Sequence, residues 1–139
     1  MKLFSKLLVA LAFIVGSIGM PAFAGDTDPL FVNLTTDDSH RANMAISFGK
    51  NQFDRGHPLT IFLNDTGVNI GSKANSAKFA NHQKALGELM NKGATVLICP
   101  MCIKHYGVKE ADLLTGLKVS NPDLTGGALF QDNAKTLSW

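Results

Sequence analysis

The chain has 139 residues, with 13 Lys and Arg against 11 Asp and Glu, and two cysteines. This length suits one domain with its own hydrophobic core, and a single cysteine pair excludes a scaffold held together by disulfides. No run of basic residues is present. We therefore expect no nucleic-acid partner, because attraction to a phosphate backbone depends on clustered Lys and Arg.

The first 24 residues have the pattern of a secretory signal peptide. Lys2 and Lys6 precede an apolar run over residues 7–18, and Ala22 and Ala24 supply small residues at cleavage spacing. The run is too short for a membrane-spanning helix, which needs about 20 residues. We expect cleavage after Ala24, a periplasmic location, no membrane association after cleavage, and one mature domain over residues 25–139 with no net charge. An uncleaved membrane anchor is the alternative.

Short apolar runs alternate with helix-periodic segments along the rest of the chain. Strands are predicted over residues 29–35, 59–63, 94–98, 116–119 and 135–139. Helices are predicted after the cap Asp37-Asp38-Ser39, along the stripe from Phe79 to Met90, directly after the cysteines, and over residues 124–131. Apolar strands separated by helices are typical of a parallel sheet covered on both faces, so the predicted fold class is α/β.

Two connections are predicted as irregular structure. The Gly, Asn and Ser-rich segment over residues 64–75 is predicted as a loop, which either covers the edge of the sheet where the cysteines lie or is only a surface connection. Asn121-Pro122-Asp123 is predicted as a turn.

Both cysteines lie where the third predicted strand ends, in Cys99-Pro100-Met101-Cys102. A helix that follows directly would favour the thiolate through its dipole. We interpret Cys99 as the attacking thiolate and Cys102 as the resolving thiol of a redox pair. The alternative is an inert structural disulfide, although so small a ring adds little stability.

Two histidines are candidates for assisting the thiols. His40 follows the first predicted strand and could share the edge where parallel strands present their ligands, or it is a solvated residue of a helix start. His105 lies three residues after Cys102, where its cation would favour a thiolate. We predict no cofactor. As an alternative, Cys99, Cys102 and His105 could bind copper or zinc.

In the order and spacing of its motifs, the chain resembles the DsrE family of small sulfur-handling proteins, which includes TusD-like and YchN-like members. A Gly-Val pair, Gly107-Val108, follows Cys99 by eight residues, as in that family. The tail, with Asn121-Pro122-Asp123 and Leu137-Ser138-Trp139, is similar to a predicted exported branch.

This resemblance implies a flavodoxin-like, three-layer α/β/α sandwich with about five mainly parallel strands. It also implies assembly into trimers or hexamers, a sulfur donor or acceptor that is a protein or a small sulfur compound, and a persulfide carried on Cys99. Cys102 departs from the family pattern. A neighbouring thiol can attack a persulfide and release sulfide, so both sulfurtransferase and thiol-disulfide reductase activities are open.

Three function hypotheses follow from these features. The first is a periplasmic DsrE-like protein that carries or reduces sulfane sulfur, or a partner's disulfide, on Cys99 and Cys102. The second is a module that delivers copper or zinc. The third is an interaction protein with a structural disulfide and no catalytic role.

Overall fold

The computed structural model describes Gly25 and residues 27–139. The predicted signal peptide over residues 1–24 lies outside the described residues, so its cleavage and the periplasmic location remain predictions. Within the part of the chain that the structure describes, none of the helices combines the length and the apolar character that a membrane span requires.

The centre of the molecule is a five-stranded sheet in which all neighbouring strands are parallel. The strands are β1 (Leu30–Leu34), β2 (Leu59–Leu63), β3 (Thr95–Ile98), β4 (Lys118–Val119) and β5 (Lys135–Ser138). Their order across the sheet is β4-β3-β2-β1-β5. All five strands fall within the ranges predicted from the sequence, and the predicted α/β class with a parallel sheet is confirmed.

Within Gly25 and residues 27–139, four α-helices connect or follow these strands: α1 (Ser39–Phe53), α2 (Ser76–Asn91), α3 (Pro100–Tyr106) and α4 (Pro122–Leu129). The cap predicted for α1 is present, because the Asp38 side chain accepts a hydrogen bond from the Arg41 N–H at 2.9 Å. Gly107 ends α3 in the left-handed conformation, with φ 68°.

The direction of the chain decides where the helices lie. From β1 to β4 the chain moves steadily toward one edge of the sheet, and it then returns past β1 to form β5. Right-handed crossovers therefore place α1, α2 and α3 on one side of the sheet and α4 on the other. We call these the helix-covered side and the open side. Val32, Ile61 and Ile98 face the helix-covered side and are completely buried.

The open side is the one faced by Phe31 and Phe62, and α4 is the helix that lies over it. A shallow groove of about 340 Å³ runs between α4 and the strands, and its walls include Phe62 together with Thr125 and Leu129 of α4. Phe62 is half-buried, whereas its neighbour Ile61 on the other side of the strand is inaccessible to solvent.

The predicted loop over residues 64–75 has regular structure instead. It forms two 3₁₀ helices, Asp65–Gly71 and Lys73–Asn75, and Val68 and Ile70 are completely buried in the core. Gly67 lies so close to the Leu34 carbonyl that a Cβ atom at this position would overlap it. The segment is therefore part of the packed interior, although its Gly and Asn content is typical of a surface loop.

The predicted turn Asn121-Pro122-Asp123 is the start of α4. Asn121 is the capping residue, because its Oδ1 accepts a hydrogen bond from the Leu124 N–H at 2.8 Å. Pro122 occupies the first helical position, where no N–H donor is needed. The same residue types favour a turn and a helix start, so the sequence alone did not separate them.

Candidate functional site

Cys99 directly follows β3 and is the capping residue of α3. Its Sγ accepts a hydrogen bond from the Cys102 N–H at 3.3 Å, in the place that a Ser or Asp oxygen usually takes at a helix start. Pro100 occupies the first helical position. The local sequence therefore positions the Cys99 sulfur over the first turn of α3.

The two cysteines are free thiols in close contact. Cys102 Sγ lies 2.7 Å from Cys99 Sγ and donates a hydrogen bond to it, whereas a disulfide bond would be about 2.05 Å long. Cys99 Sγ thus accepts from both the amide and the thiol of Cys102. Cys99 is therefore the acceptor and Cys102 the donor within the pair, and the attacking role predicted for Cys99 remains a prediction.

Cys102 lies in a different environment. Partial burial and the hydrogen bond to Cys99 raise the pKa of the Cys102 thiol above its ordinary value of 9.0, and the negative charges of Cys99 and Asp65 act in the same direction. The Asp65 N–H, which donates to Cys102 Sγ at 3.2 Å, acts in the opposite direction. At neutral pH Cys102 therefore carries its proton, as a resolving thiol does before it attacks.

Asp65 and Tyr106 are members of this site that no sequence motif marks. Asp65 follows the end of β2, the strand next to β3, so the two strand ends bring it beside the cysteines. The Tyr106 hydroxyl donates to Asp65 Oδ1, and this hydrogen bond is the main cause that raises the pKa of Tyr106. The sequence feature that could have identified Asp65 is its position as a polar residue shortly after the end of β2, the strand next to β3.

Two clefts flank the cysteine pair. A cleft of about 180 Å³ lies beside Cys99 on the open side of the sheet, and its walls include Phe62, Ser120 and Thr125. A second cleft of about 450 Å³ lies beside Cys102 and is lined by Asn64, Asp65, Met101, Cys102, His105 and Tyr106. Met101 is 80% exposed and lines both clefts. Among the residues that the structure describes, Cys99 is the sole ionisable one lining the first cleft, whereas the second contains several ionisable side chains.

The structure brings His105 to the cysteines and leaves His40 apart from them. His105 lines the cleft beside Cys102, and its ring packs edge-on against Tyr106 with the centroids 4.7 Å apart. His40 is exposed in the first turn of α1 and lines neither of the two clefts. The roles predicted for both histidines remain predictions.

The metal-binding alternative predicted for Cys99, Cys102 and His105 stays a prediction. Within Gly25 and residues 27–139, no three His, Cys, Asp or Glu side chains converge in an arrangement that could hold a metal ion. Cys99, Cys102 and His105 lie on successive turns around α3, but they do not form such a group.

The fold agrees with comparisons to known proteins. The profile of the DsrE/DsrF-like family matches residues 30–134. The chain belongs to this family. Uncharacterized protein MJ0989 of Methanocaldococcus jannaschii is 33% identical over 98 residues, which are 69% of this chain and 86% of that protein. Uncharacterized protein MK0008 of Methanopyrus kandleri is 30% identical over 95 residues, 67% of this chain and 78% of that protein.

Solved structures of DsrE-like fold match most of the chain. The protein of unknown function MTH1491 from Methanobacterium thermoautotrophicum has a TM-score of 0.65 at 17% identity, with 81% of this chain and 99% of that one covered. The YchN protein from E. coli has a TM-score of 0.54 at 18% identity, with 80% and 99% covered. At these identities the likeness shows a common fold, and it confirms the predicted flavodoxin-like, DsrE-like architecture.

Membership of the DsrE/DsrF-like family confirms the resemblance on which the expectation of sulfur handling was based. The matched range includes both cysteines together with Asp65 and Tyr106. The candidate site of this DsrE-like chain therefore lies within the family domain.

Proposed function

We propose that this DsrE-like protein handles sulfane sulfur on Cys99 and uses Cys102 as the resolving thiol. The observation that supports this role is the Cys99 sulfur itself, which accepts hydrogen bonds from the Cys102 amide and the Cys102 thiol and lies beside an open cleft. A sulfur that is hydrogen-bonded in this way and accessible is suited to nucleophilic attack.

The first step is a thiol exchange. The Cys99 thiolate attacks the outer sulfur of a persulfide or polysulfide donor, the S–S bond of the donor breaks, and the remainder leaves as a thiolate or shorter polysulfide. Cys99 then carries one extra sulfur as a persulfide. The exchange needs no external electrons, and a donor would approach through the cleft beside Cys99.

The loaded protein has two possible fates. In carriage, the thiolate of an acceptor attacks the outer sulfur and leaves with it, and Cys99 returns to its thiolate form. In reduction, the Cys102 thiolate attacks Cys99 Sγ, the persulfide S–S bond breaks, and hydrosulfide leaves. The second route reduces the sulfane sulfur by two electrons and oxidises the pair to a Cys99–Cys102 disulfide, which an external dithiol must reduce before the next cycle.

The proposal also includes export and assembly. The pattern of the first 24 residues supports a periplasmic location. Exposed apolar side chains on the open side, Phe130 at 82% and Leu124 at 40%, support assembly into a trimer or hexamer or contact with a partner protein of the sulfur relay.

The direct test is the intact mass of the protein before and after treatment with polysulfide, and again after a reductant. The wild type should gain the mass of one sulfur atom and lose it with the reductant. Cys99→Ser should gain none, and Cys102→Ser should retain the extra sulfur longer than the wild type because it cannot resolve the persulfide.

Two results would contradict the proposal. One is a Cys99→Ser variant that still gains reductant-labile sulfur. The other is a wild type that is two hydrogens lighter than its reduced form and takes up no sulfur after reduction, which would support the alternative of an inert disulfide.

A further inference from the structure

Asp65 adopts a left-handed backbone conformation that residues other than glycine adopt infrequently. Its φ is 46°, and among the described residues Asp65 and Asn133 are the two outside glycine with positive φ. The Asp65 side chain is exposed, so no free energy of side-chain burial offsets the cost of this backbone conformation. Unfavourable backbone conformations of this kind persist where the neighbouring contacts maintain them, and they cluster at functional sites.

The contacts of Asp65 join it to two residues of α3. Its N–H donates to Cys102 Sγ at 3.2 Å, and its Oδ1 accepts from the Tyr106 hydroxyl. Cys102 and Tyr106 are four residues apart on one helix, so they lie on the same face one turn apart. Asp65 therefore connects the end of β2 to this face of α3 and holds the Cys102 sulfur in a defined place.

The charge of Asp65 acts on the same sulfur. The ionisable groups that face Cys102 are Cys99 at the end of β3, Asp65 at the end of β2, and His105 and Tyr106 on α3 itself. A carboxylate beside a thiol disfavours the second negative charge that a thiolate would introduce. The hydrogen bond from Tyr106 keeps this carboxylate next to Cys102.

We propose that Asp65 is a positioning residue for the resolving step: its N–H holds the Cys102 sulfur in place, and its carboxylate slows the attack of Cys102 and thereby prolongs the life of a persulfide on Cys99. This inference rests on the proposed function. Cys102 must lose its proton to solvent before it attacks Cys99 Sγ, forms the disulfide and expels hydrosulfide. The Asp65 N–H favours that thiolate, whereas the Asp65 carboxylate disfavours it. With the carboxylate present, more of the sulfur is carried to an acceptor and less is released than when the charge alone is removed.

The first test measures Cys102 without any sulfur loading. In a Cys99→Ser background, the rate at which iodoacetamide alkylates Cys102 is followed from pH 6 to pH 10, with Asp65 present and with Asp65→Asn. Asn tolerates positive φ and keeps the N–H donor, so this substitution removes the charge alone. We expect alkylation at pH 7.5 to become about fivefold faster, as the loss of one neighbouring charge in a solvated site predicts.

The second test measures the resolving step itself. Protein loaded with polysulfide is freed of excess reagent, and the release of sulfide is followed over time. Asp65→Asn should release sulfide about fivefold faster than the wild type, and Tyr106→Phe should accelerate release to a smaller extent because it only frees the carboxylate. In a Cys102→Ser background, Asp65→Asn should change nothing.

A matched control and a second variant keep the tests decisive. Asp38→Asn also removes one exposed carboxylate and retains an effective helix cap, and it should leave both rates unchanged because Asp38 lies at the start of α1. Asp65→Gly should reproduce the effect of Asp65→Asn, since glycine adopts positive φ without cost and keeps the N–H.

Unchanged alkylation and unchanged sulfide release in Asp65→Asn would overturn the inference, and so would faster release that persists without Cys102. Failure of the wild type to take up sulfur would instead overturn the proposed function. The alkylation profile would still decide whether Asp65 controls the Cys102 thiol, so the two failures are distinguishable.

Discussion

The two sides of the sheet differ in how completely they bury apolar side chains and in which cysteine lines the cleft on each side. On the helix-covered side, Ile61 and Ile98 are completely inaccessible to solvent beneath three helices. On the open side, the eight-residue α4 leaves Phe62 half-buried and Phe130 82% exposed. One side therefore supplies most of the packed core, and the other leaves apolar surface exposed.

The same division applies to the cysteines. Cys99 lines the cleft on the open side with Phe62, whereas Cys102 lines the cleft formed with Asp65 on the helix-covered side. The two sulfurs are in contact, although they line different clefts. In the proposed function, a donor would therefore reach Cys99 from the open side, and the residues that act on Cys102 would lie on the other side of the same sheet edge.

The largest expected effect comes from truncating neighbouring residues of β2 that face opposite sides. Ile61→Ala should lower the free energy of unfolding by about 2–5 kcal/mol, because it leaves a cavity in the closed core. Phe62→Ala should cost about 1–2 kcal/mol, since a half-buried side chain loses only part of its burial energy. Urea denaturation of both variants measures the difference.

Equal losses for Ile61→Ala and Phe62→Ala would contradict this contrast between the two sides. Phe62 would then be as well covered as the core, as it would be beneath a second subunit. Measuring the molar mass of both variants in solution would show whether the Phe62→Ala loss accompanies dissociation of an oligomer.

Replacing two glycines by alanine, one at the end of α3 and one inside α4, should change the stability less, and with opposite signs. Gly107 ends α3 with φ 68°, where alanine would be strained, so Gly107→Ala should cost about 1 kcal/mol. Gly127 lies inside α4, and apart from its chain neighbours and the backbone of its own helix no atom is within 4 Å of the position that a Cβ would take, so Gly127→Ala should stabilise by about 0.5–1 kcal/mol. Thermal unfolding gives both signs, and stabilisation by Gly107→Ala would show that the end of α3 is not constrained as described.

The smallest expected effect is a loss of folding stability at alkaline pH. Because the folded protein raises the pKa of Cys102 above 9.0, protonated Cys102 contributes stability below about pH 9, and this contribution is lost as the pH rises through the folded-state pKa. Tyr106, with its pKa raised above 10.0, loses its contribution at still higher pH.

The measurement is the free energy of unfolding in urea at pH 7.5 and pH 10, with both thiols kept reduced. The wild type should lose more stability between these pH values than Cys102→Ser does. A Cys102→Ser variant with the same alkaline loss as the wild type would show that other groups cause it.

Much of the fold was predictable because its signals are local. The apolar run ending at Ile98 and the capping side chain of Asp38 each depend on a few neighbouring residues, and both are confirmed. The segment over residues 64–75 was predicted wrongly as a loop. Its helical structure depends on the burial of Val68 and Ile70, which are carried into the core by contacts with distant strands.

By itself, the sequence determined the parallel α/β architecture, the place of Cys99 and Cys102 at the end of β3, and the family to which the chain belongs. The tertiary structure alone decided that Asp65 contacts Cys102 and Tyr106, 37 and 41 residues further along the chain. It also decided which side of the sheet each sulfur faces. Hydrophobic periodicity and helix caps are encoded within a few residues, whereas the partners of a strand end depend on the order of strands in the finished sheet.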